Sequence, residues 1–275
     1  MKDSIIQLDD TWISVRHTDV LPDRSSILFI HGLGESGLSF IESFDANDLK
    51  NYNLIVPDLA GYGRSTSAFN ADYSFSAQVD RLSRLIDRFG LQKLFIVGHS
   101  MGGDIATLLA QQTEDKILGL INIEGDLTPY DVFISNLATE AAERGEFLKW
   151  FKDEFRQTIV YEQWAEKRES CRRYYASLWF CKPEAFLSNA KEIYEQSKSA
   201  ENEIENKLGA RFREIKMKKL FCWGEESLAQ ETRDYIQQKQ TEIPNQRFAG
   251  AGHWVMIDKG EVFYSLIGEF CSMKE

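Results

Sequence analysis

The sequence places a serine in a tight turn between an apolar strand and an apolar helix. The stretch IVGHSMGGDIATLLA covers residues 96–110, and Ser100 stands in it between Gly98 and Gly102. Glycines at these positions remove side chains that would collide where a strand turns directly into a helix, so the hydroxyl is left exposed. A helix beginning at Met101 also points free N–H groups at the turn, where they can stabilise negative charge. The pattern Gly-x-Ser-x-Gly therefore predicts a nucleophilic serine.

A serine hydroxyl is a weak nucleophile until a base removes its proton, so this prediction requires a histidine elsewhere in the chain. There are 4 histidines. His17 lies in a predicted edge hairpin, His31 precedes a glycine turn, and His99 adjoins the serine and is expected to point elsewhere. His253, in FAGAGHWVMID, follows the last apolar strand in a glycine-containing loop. We predict that His253 is the general base, because its loop is free to reach across the end of the sheet.

The stretch LFIHGLGESG can supply donors for a developing oxyanion. A predicted strand ends at His31, and the loop from Gly32 can present the backbone N–H of Leu33. The N–H of Met101, at the start of the helix, would be the second donor. Taken alone, HGLG is an ordinary turn from strand to loop. Its position before the serine and the histidine in the chain supports its interpretation as part of an oxyanion hole.

The elements that must position these residues alternate regularly through residue 126. Apolar runs that indicate buried strands are SSILFIHG, YNLIVPDLAG, KLFIVGHS and ILGLINIEG, and amphipathic stretches typical of helices lie between them. This alternation predicts a mainly parallel sheet with helices on both faces, and the opening SIIQLDDTWISVRHT predicts an added hairpin at its edge. Ser100 would then lie at the carboxyl end of a parallel strand, where loops carry chemistry.

The alternation stops at Leu127 and resumes after about Leu208. The intervening segment is charged, helical in pattern and rich in aromatic residues. We therefore predict a core domain of residues 1–126 and 209–275 and a helical cap, or lid, of residues 127–208. For any one aromatic residue of the cap, packing inside the cap is the simpler expectation. We nevertheless expect the aromatic residues together to line part of a cleft over Ser100. They are Phe147, Trp150, Phe151, Tyr174 and Trp179.

Taken in order, HGLG, DLAGYGRS, GHSMGG and GAGHWVMID resemble the α/β-hydrolase superfamily over nearly the whole chain. The Gly-x-Ser-x-Gly nucleophile elbow is the most specific of these motifs, and the ordered set is more specific than any one of them. The resemblance implies an α/β fold with an eight-stranded, mostly parallel sheet flanked by helices. It also implies a helical cap inserted after strand 6, as in cap-containing esterases and lipases.

The catalytic acid departs from the commonest family pattern. Many members carry it after strand seven in a segment like WGxxD, but this chain reads WGEES there, with Ser227 at the position of the acid. Haloalkane dehalogenases with a glutamate at the end of strand six are similar to this chain at INIEGDLTP. The resemblance therefore implies Glu124 as the acid that orients His253, with Asp126 and then Glu226 as alternatives.

The serine nucleophile favours acyl transfer, since relatives that form an alkyl ester attack with aspartate. We predict a serine esterase with a catalytic triad of Ser100, His253 and Glu124, an oxyanion hole at Leu33 and Met101, and a small acyl substrate. Carbon–carbon bond hydrolases, perhydrolases and thioesterases share the fold, and so would a ligand-binding or signalling protein with little turnover. Loss of the usual acid keeps that last alternative open.

The charge composition of the chain limits the kinds of partner that it is expected to bind. With 32 basic and 43 acidic residues the net charge is −11, which disfavours nucleic acid and anionic membranes. The first residues lack the pattern of a secretory signal and no apolar run is long enough to span a bilayer, so we expect a cytoplasmic protein. The spacing of histidines and cysteines predicts free thiols, no metal site and no cofactor. The oligomeric state stays open.

Overall fold

The computed structural model describes residues 1–8, 11–198 and 204–273. In these ranges one sheet contains β1 (Lys2–Leu8), β2 (Thr11–His17), β3 (Ser26–Ile30), β4 (Asn53–Pro57), β5 (Thr66–Ser67), β6 (Leu94–His99), β7 (Ile117–Ile123), β8 (Lys219–Gly224) and β9 (Asn245–Phe248). Eight of the strands follow the order β1-β2-β4-β3-β6-β7-β8-β9, and the short β5 pairs with β2.

The sheet is parallel from β4 to β9 and antiparallel at the edge that β1 and β2 form. Every residue of β3, β4 and β6 is buried, because helices cover both faces of the central strands. The predicted fold class, a mostly parallel α/β sheet flanked by helices, is confirmed. Over the described residues the sheet has nine strands rather than the expected eight, because the two-residue β5 also pairs with β2. The predicted edge hairpin is also confirmed.

The first two helices follow directly from local sequence. Helix α1 (Phe75–Phe89) begins where the Ser74 hydroxyl accepts a hydrogen bond from the N–H of Ala77, and it ends at Gly90 with a φ of 67°. Helix α2 (Met101–Gln112) follows Ser100 at once, and its Ile105, Ala106 and Leu109 are fully buried. These elements fix the turn that carries Ser100 between the sheet and α2.

Between β7 and β8 the described residues form helices and no strand. The segment contains α3 (Phe133–Glu143), α4 (Phe147–Lys149), a π-helix (Trp150–Trp164), α5 (Glu169–Leu178), α6 (Pro183–Ser197) and α7 (Lys207–Glu214). Its own core is aromatic: the rings of Trp150 and Phe155 stack with centroids 5.0 Å apart, and those of Phe151 and Phe186 are 4.9 Å apart. Phe147 packs on the same group.

The chain returns to the sheet with α8 (Gln230–Gln238), β9, α9 (Val255–Asp258) and α10 (Gly260–Ser272). The loop between β9 and α9 carries His253, at the same end of the sheet as Ser100. The cysteines Cys171, Cys181, Cys222 and Cys271 are free and buried. Over the described residues, every helix is too short or too polar to cross a bilayer.

Candidate active site

Ser100 lies in a strained turn between β6 and α2. Its φ is 52° and its ψ is −129°, a backbone conformation that L residues rarely adopt. A Cβ on Gly98 would lie 2.2 Å from the carbonyl oxygen of Gly102, and a Cβ on Gly102 would lie 2.2 Å from that of Ile30. Both glycines are therefore required by the close approach of strand and helix, and the serine side chain is presented at the end of the sheet.

Glu124 and His253 are joined by a short hydrogen bond. Nδ1 of His253 lies 2.6 Å from Oε2 of Glu124, and the Glu124 side chain is only 3% exposed. Glu124 follows β7 directly and has a φ of 49°. Its other oxygen, Oε1, accepts hydrogen bonds from the N–H of Gly224 and from Oγ of Ser227, each at 2.6 Å. Ser227, which stands where the family pattern places an acid, thus helps to hold the glutamate.

The charge of Glu124 determines the proton affinity of His253. Burial alone would lower the pKa of His253, but the charge and hydrogen bond of Glu124 outweigh it and raise the pKa above its usual value of 6.5. The carboxylates of Glu35 and Asp126 add to this rise. The pair thus favours the imidazolium that a general base forms during a reaction.

The two alternative acids have other partners. The N–H of Asp126 donates to Oδ1 of Asp104 at 3.0 Å, and burial raises the pKa of Asp126 to about 7. Glu226 is exposed and forms an ion pair with Arg168. Of the three candidate acids, Glu124 is the one that the structure places in hydrogen-bond contact with His253.

Leu33 and Met101 both lie close to Ser100. A Cβ on Gly32 would be 3.1 Å from Cβ of Ser100, which places the loop of Leu33 directly against the serine. Met101 is the first residue of α2. Across the described residues, neither backbone N–H donates a hydrogen bond within the chain. Both are therefore available to an anionic oxygen near Ser100.

Ser100, His253 and Glu124 line one cavity of about 400 Å³. Its apolar walls come from the sheet domain and from the helices between β7 and β8: Leu33, Val132, Phe133, Ile134, Trp164, Ile193 and Trp254. The cavity also carries the carboxylates of Glu35, Asp126, Asp131 and Glu226, and in the described part of the chain no lysine or arginine lines it. Among the described residues, no hydrogen bond joins Ser100 to His253.

Sequence reasoning missed Glu35 and the surroundings of His99. Glu35 is a cavity residue with 1% exposure, and its carboxylate contacts His99 and the indole of Trp254. His99 does point away from the cavity, but its ring lies against that of His253, with centroids 4.5 Å apart. No sequence pattern marks Glu35, because a glutamate that follows a glycine-rich loop such as HGLG is normally solvated.

The remaining histidines serve the fold. His31 is buried, with its Nδ1 2.9 Å from the carbonyl of Gly32 and its Nε2 accepting from the N–H of Leu59. His17 bonds to Ser4 and to the carbonyl of Thr18. In the ranges that the structure describes, no three His, Cys, Asp or Glu side chains are grouped so that they could hold a metal ion.

A strained serine at a strand end, a histidine–carboxylate pair and this sheet order define an α/β-hydrolase. A family model described as the alpha/beta hydrolase fold matches residues 26–260, and the chain belongs to that family.

Individual relatives carry hydrolase names. Lipase 3 of Moraxella sp. (strain TA144) is 38% identical over 102 residues, which are 36% of this chain and 32% of that protein. The matched region is therefore about a third of the relative's length.

Two solved structures are similar over nearly their full length. A carboxylesterase of Nitrososphaera gargenis has a TM-score of 0.74 at 20% identity, covering 98% of each chain. A variant of the N-acyl homoserine lactonase AidH, in complex with N-hexanoyl homoserine lactone, has a TM-score of 0.77 at 15% identity, covering 98% of this chain and 97% of that one. At these identities the likeness establishes the fold alone.

Proposed function

We propose that this protein is a serine hydrolase that cleaves a small carboxylic ester through an acyl-enzyme on Ser100. The observation that carries the proposal is the 2.6 Å hydrogen bond between His253 Nδ1 and Glu124 Oε2, in a cavity that Ser100 also lines. A carboxylate at Nδ1 holds a proton on that nitrogen, so Nε2 is left free to accept one from a serine.

The first half of the reaction forms the acyl-enzyme. Nε2 of His253 takes the proton of Ser100 while Oγ attacks the ester carbonyl carbon, and the oxygen that becomes negative accepts hydrogen bonds from the N–H groups of Leu33 and Met101. The intermediate then collapses, the bond from carbon to the alkoxy oxygen breaks, and His253 returns its proton to the departing alcohol.

The second half regenerates the serine. His253 removes a proton from a water molecule, the hydroxide adds to the acyl carbon, and the oxyanion is again stabilised at Leu33 and Met101. Collapse releases the carboxylic acid and returns a proton to Ser100. Glu124 stabilises the imidazolium in both halves without taking up the proton itself.

The helical segment of residues 127–208 acts in this proposal as a cap that shapes the substrate site. Five apolar residues of this segment line the cavity together with Ser100, although they come from different elements. They are Val132, Phe133 and Ile134, which precede or begin α3, and Trp164 and Ile193, which come from later helices. A cavity of about 400 Å³ lies within the range of small-ligand sites, about 300–1,000 Å³. Its apolar walls and acidic groups favour an uncharged ester of modest size. The lipase and carboxylesterase names of similar proteins agree with this class.

The second candidate is a ligand-binding protein with little or no turnover. One observation favours it: among the described residues, the Ser100 hydroxyl makes no hydrogen bond to His253. In hydrolases without bound substrate this contact is often long and tightens only in the complex. Turnover therefore separates the two candidates.

The test is hydrolysis of p-nitrophenyl esters from acetate to dodecanoate by the parent protein and by Ser100→Ala. The serine hydrolase predicts multiple turnovers by the parent, a preference for short or medium chains, and a loss of at least about 10³-fold in Ser100→Ala. Treatment with EDTA should leave the parent rate unchanged. A parent rate equal to that of Ser100→Ala on every ester would favour the binding protein.

A further inference from the structure

A buried carboxylate that the mechanism above does not use lies beneath the site. Glu35 is 1% exposed and has three partners in the chain. Trp254 Nε1 donates to Oε1 at 2.8 Å, and the N–H of Gly32 donates to Oε2 at 3.1 Å. Nδ1 of His99 lies 2.8 Å from Oε1, in a contact whose geometry is not that of a well-directed hydrogen bond.

Each partner belongs to a different segment of the active site. Gly32 immediately precedes Leu33, His99 immediately precedes Ser100, and Trp254 immediately follows His253. His99 adds a direct link, because its Nε2 donates to the backbone carbonyl of His253 at 2.9 Å. One carboxylate therefore connects the oxyanion loop, the serine turn and the histidine loop.

The contacts of Glu35 depend on where the protons of His99 and Glu35 lie. A carbonyl oxygen carries no proton, so Nε2 of His99 must hold one, and Nδ1 faces the carboxylate. Burial alone would raise the pKa of Glu35, but its interactions with His99, His31 and the N–H of Gly32 together outweigh burial and lower the pKa to about 2. Glu35 is thus ionised at neutral pH, and removal of the carboxylate would leave buried polar groups of these segments without their common acceptor.

We propose that Glu35 is a positioning residue for ester hydrolysis, which holds the Leu33 amide, Ser100 and His253 in register through Gly32, His99 and Trp254. The proposal rests on the serine hydrolase function above. Glu35 needs no contact with the substrate for this role, since it acts through the backbone and ring positions of its partners.

The direct test is Glu35→Gln, which preserves the shape of the side chain. Donors approach both carboxylate oxygens, whereas an amide has only one acceptor oxygen, so at least one of the three contacts must be lost. A displacement of about 1 Å in a catalytic constellation costs about 10²-fold in rate. We expect kcat to fall by about this factor, with KM changed less than about threefold, because the substitution keeps the size and shape of the one side chain that it alters in the cavity lining.

The matched control is Asp58→Asn. Asp58 is fully buried, pairs with Arg16 at 2.9 Å and accepts from the N–H of Gly37 at 2.7 Å, but it does not line the cavity of Ser100. It therefore removes a comparable buried charge pair from the same sheet domain without contacting Gly32, His99 or Trp254, and its contact with the oxyanion loop is the N–H of Gly37, two residues beyond Glu35. Its kcat should stay within about threefold of the parent.

Active-site titration separates positioning from folding. A phosphonate that releases p-nitrophenol in one burst counts the reactive serines in each preparation, and kcat is then expressed per titrated site, with thermal unfolding measured in parallel. A residue that only stabilises the fold lowers the number of sites and the unfolding temperature, whereas a positioning residue lowers kcat per site.

The inference predicts a drop of about 10²-fold in kcat per site for Glu35→Gln and a near-parental value for Asp58→Asn. A near-parental kcat per site in Glu35→Gln would overturn it.

If Glu35→Gln yields no titratable protein, His99→Gln decides, because it keeps a neutral donor near the carbonyl of His253 and does not line the cavity. A fall of about tenfold in kcat per site supports the inference, and an unchanged value overturns it. A parent that neither hydrolyses nor titrates would contradict the proposed function itself, and this inference with it.

Discussion

Glu124 is the residue whose assignment rests most directly on geometry. In Glu124→Gln the partner of His253 Nδ1 loses its charge and can present an N–H, which favours the wrong tautomer of the imidazole. We predict that kcat falls by about 10³- to 10⁴-fold with a folded protein. Ser227→Ala should lower kcat only severalfold, because the N–H of Gly224 still bonds to Oε1 of Glu124. Steady-state kinetics on one ester, with circular dichroism for folding, makes the comparison.

Glu225→Gln is the matched control for this substitution. Glu225 pairs with Arg247 and accepts from the N–H of Gly250 at 3.1 Å, which glutamine can also do, and it does not line the cavity. It should behave as the parent does. Near-normal turnover in Glu124→Gln, together with collapse in Asp126→Asn or Glu226→Gln, would assign the acid to that other residue.

The pH dependence follows from the raised pKa of His253. Only neutral His253 can accept the serine proton, so activity is lost as pH falls through this pKa, and the acidic limb of kcat/KM should have its midpoint above 6.5. Glu124→Gln removes the negative charge that raises the pKa, so the limb should move to lower pH. The measurement is a pH–rate profile of the parent and of Glu124→Gln at constant ionic strength.

The carboxylates of Glu35 and Asp126 act on the same imidazole, and the ring of His99 packs against it. Burial raises the pKa of Asp126 to about 7, so Asp126 titrates in the same range. The limb should persist in Asp126→Asn if it reports His253. A limb that disappears in Asp126→Asn, or that Glu124→Gln leaves in place, would contradict the assignment.

At this scale the sequence predicted the residues that carry a recognisable pattern. Ser100 stands between glycines whose spacing has a steric reason, and His253 lies in a loop after a strand. Glu124 was chosen because Ser227 occupies the usual position of the acid and INIEGDLTP resembles relatives with a glutamate there. Glu35 could not be found this way. A glutamate in a glycine-rich loop is normally solvated, and only the fold brings it within reach of His99 and Trp254.

At the scale of elements, the aromatic residues of the helices between β7 and β8 have different surroundings: some pack in the core of the segment, some line the cavity, and some face solvent. Trp164 lines the cavity and is half-buried, whereas Trp179 is 56% exposed and stacks with Arg156 outside it. We predict that Trp164→Ala enlarges the acyl site and raises the ratio of kcat/KM for long over short esters by about tenfold. The measurement is kcat/KM across the p-nitrophenyl ester series.

Trp179→Ala removes the same side chain from the same helical segment without touching the cavity, so its chain-length preference should equal that of the parent. If both variants keep the parental preference while folded, the helical segment does not set specificity. The boundaries at residues 127 and 208 stay a prediction, and this pair of variants tests the function that we assign to the segment.

The order of elements was readable because buried parallel strands are continuous apolar runs and helices show one apolar face. The sequence did not indicate which aromatic side chains of this segment line the cavity. Of the five named from the sequence, Tyr174 lines the cavity, Phe147, Trp150 and Phe151 fill the core of the segment, and Trp179 faces solvent. Spacing along a helix predicts a shared face, but it does not reveal whether that face meets another helix or a cavity.

At the scale of the whole molecule, charge should govern which esters enter. The net charge is −11, and the described cavity lining has several carboxylates and no lysine or arginine. Like charges a few ångströms apart repel by about 1–4 kcal/mol near a protein surface. We predict that an ester whose acyl chain ends in a carboxylate has a kcat/KM at least about tenfold below that of the matching ester whose acyl chain ends in an uncharged carboxamide.

Added salt screens the repulsion, so the gap should narrow between low and high ionic strength while the rate for the uncharged ester stays constant. Equal rates for the two esters, or a faster rate for the anionic one, would contradict this account of the cavity.

The central claim is that Ser100 is an activated nucleophile, and reaction with a fluorophosphonate tests it most directly. Intact mass and peptide mapping report how many adducts form and on which residue. The account predicts one adduct per chain, located on Ser100, absent from Ser100→Ala and formed at least about 10²-fold more slowly in His253→Ala. A folded parent protein that forms no adduct, or that carries it on another residue, would contradict the account.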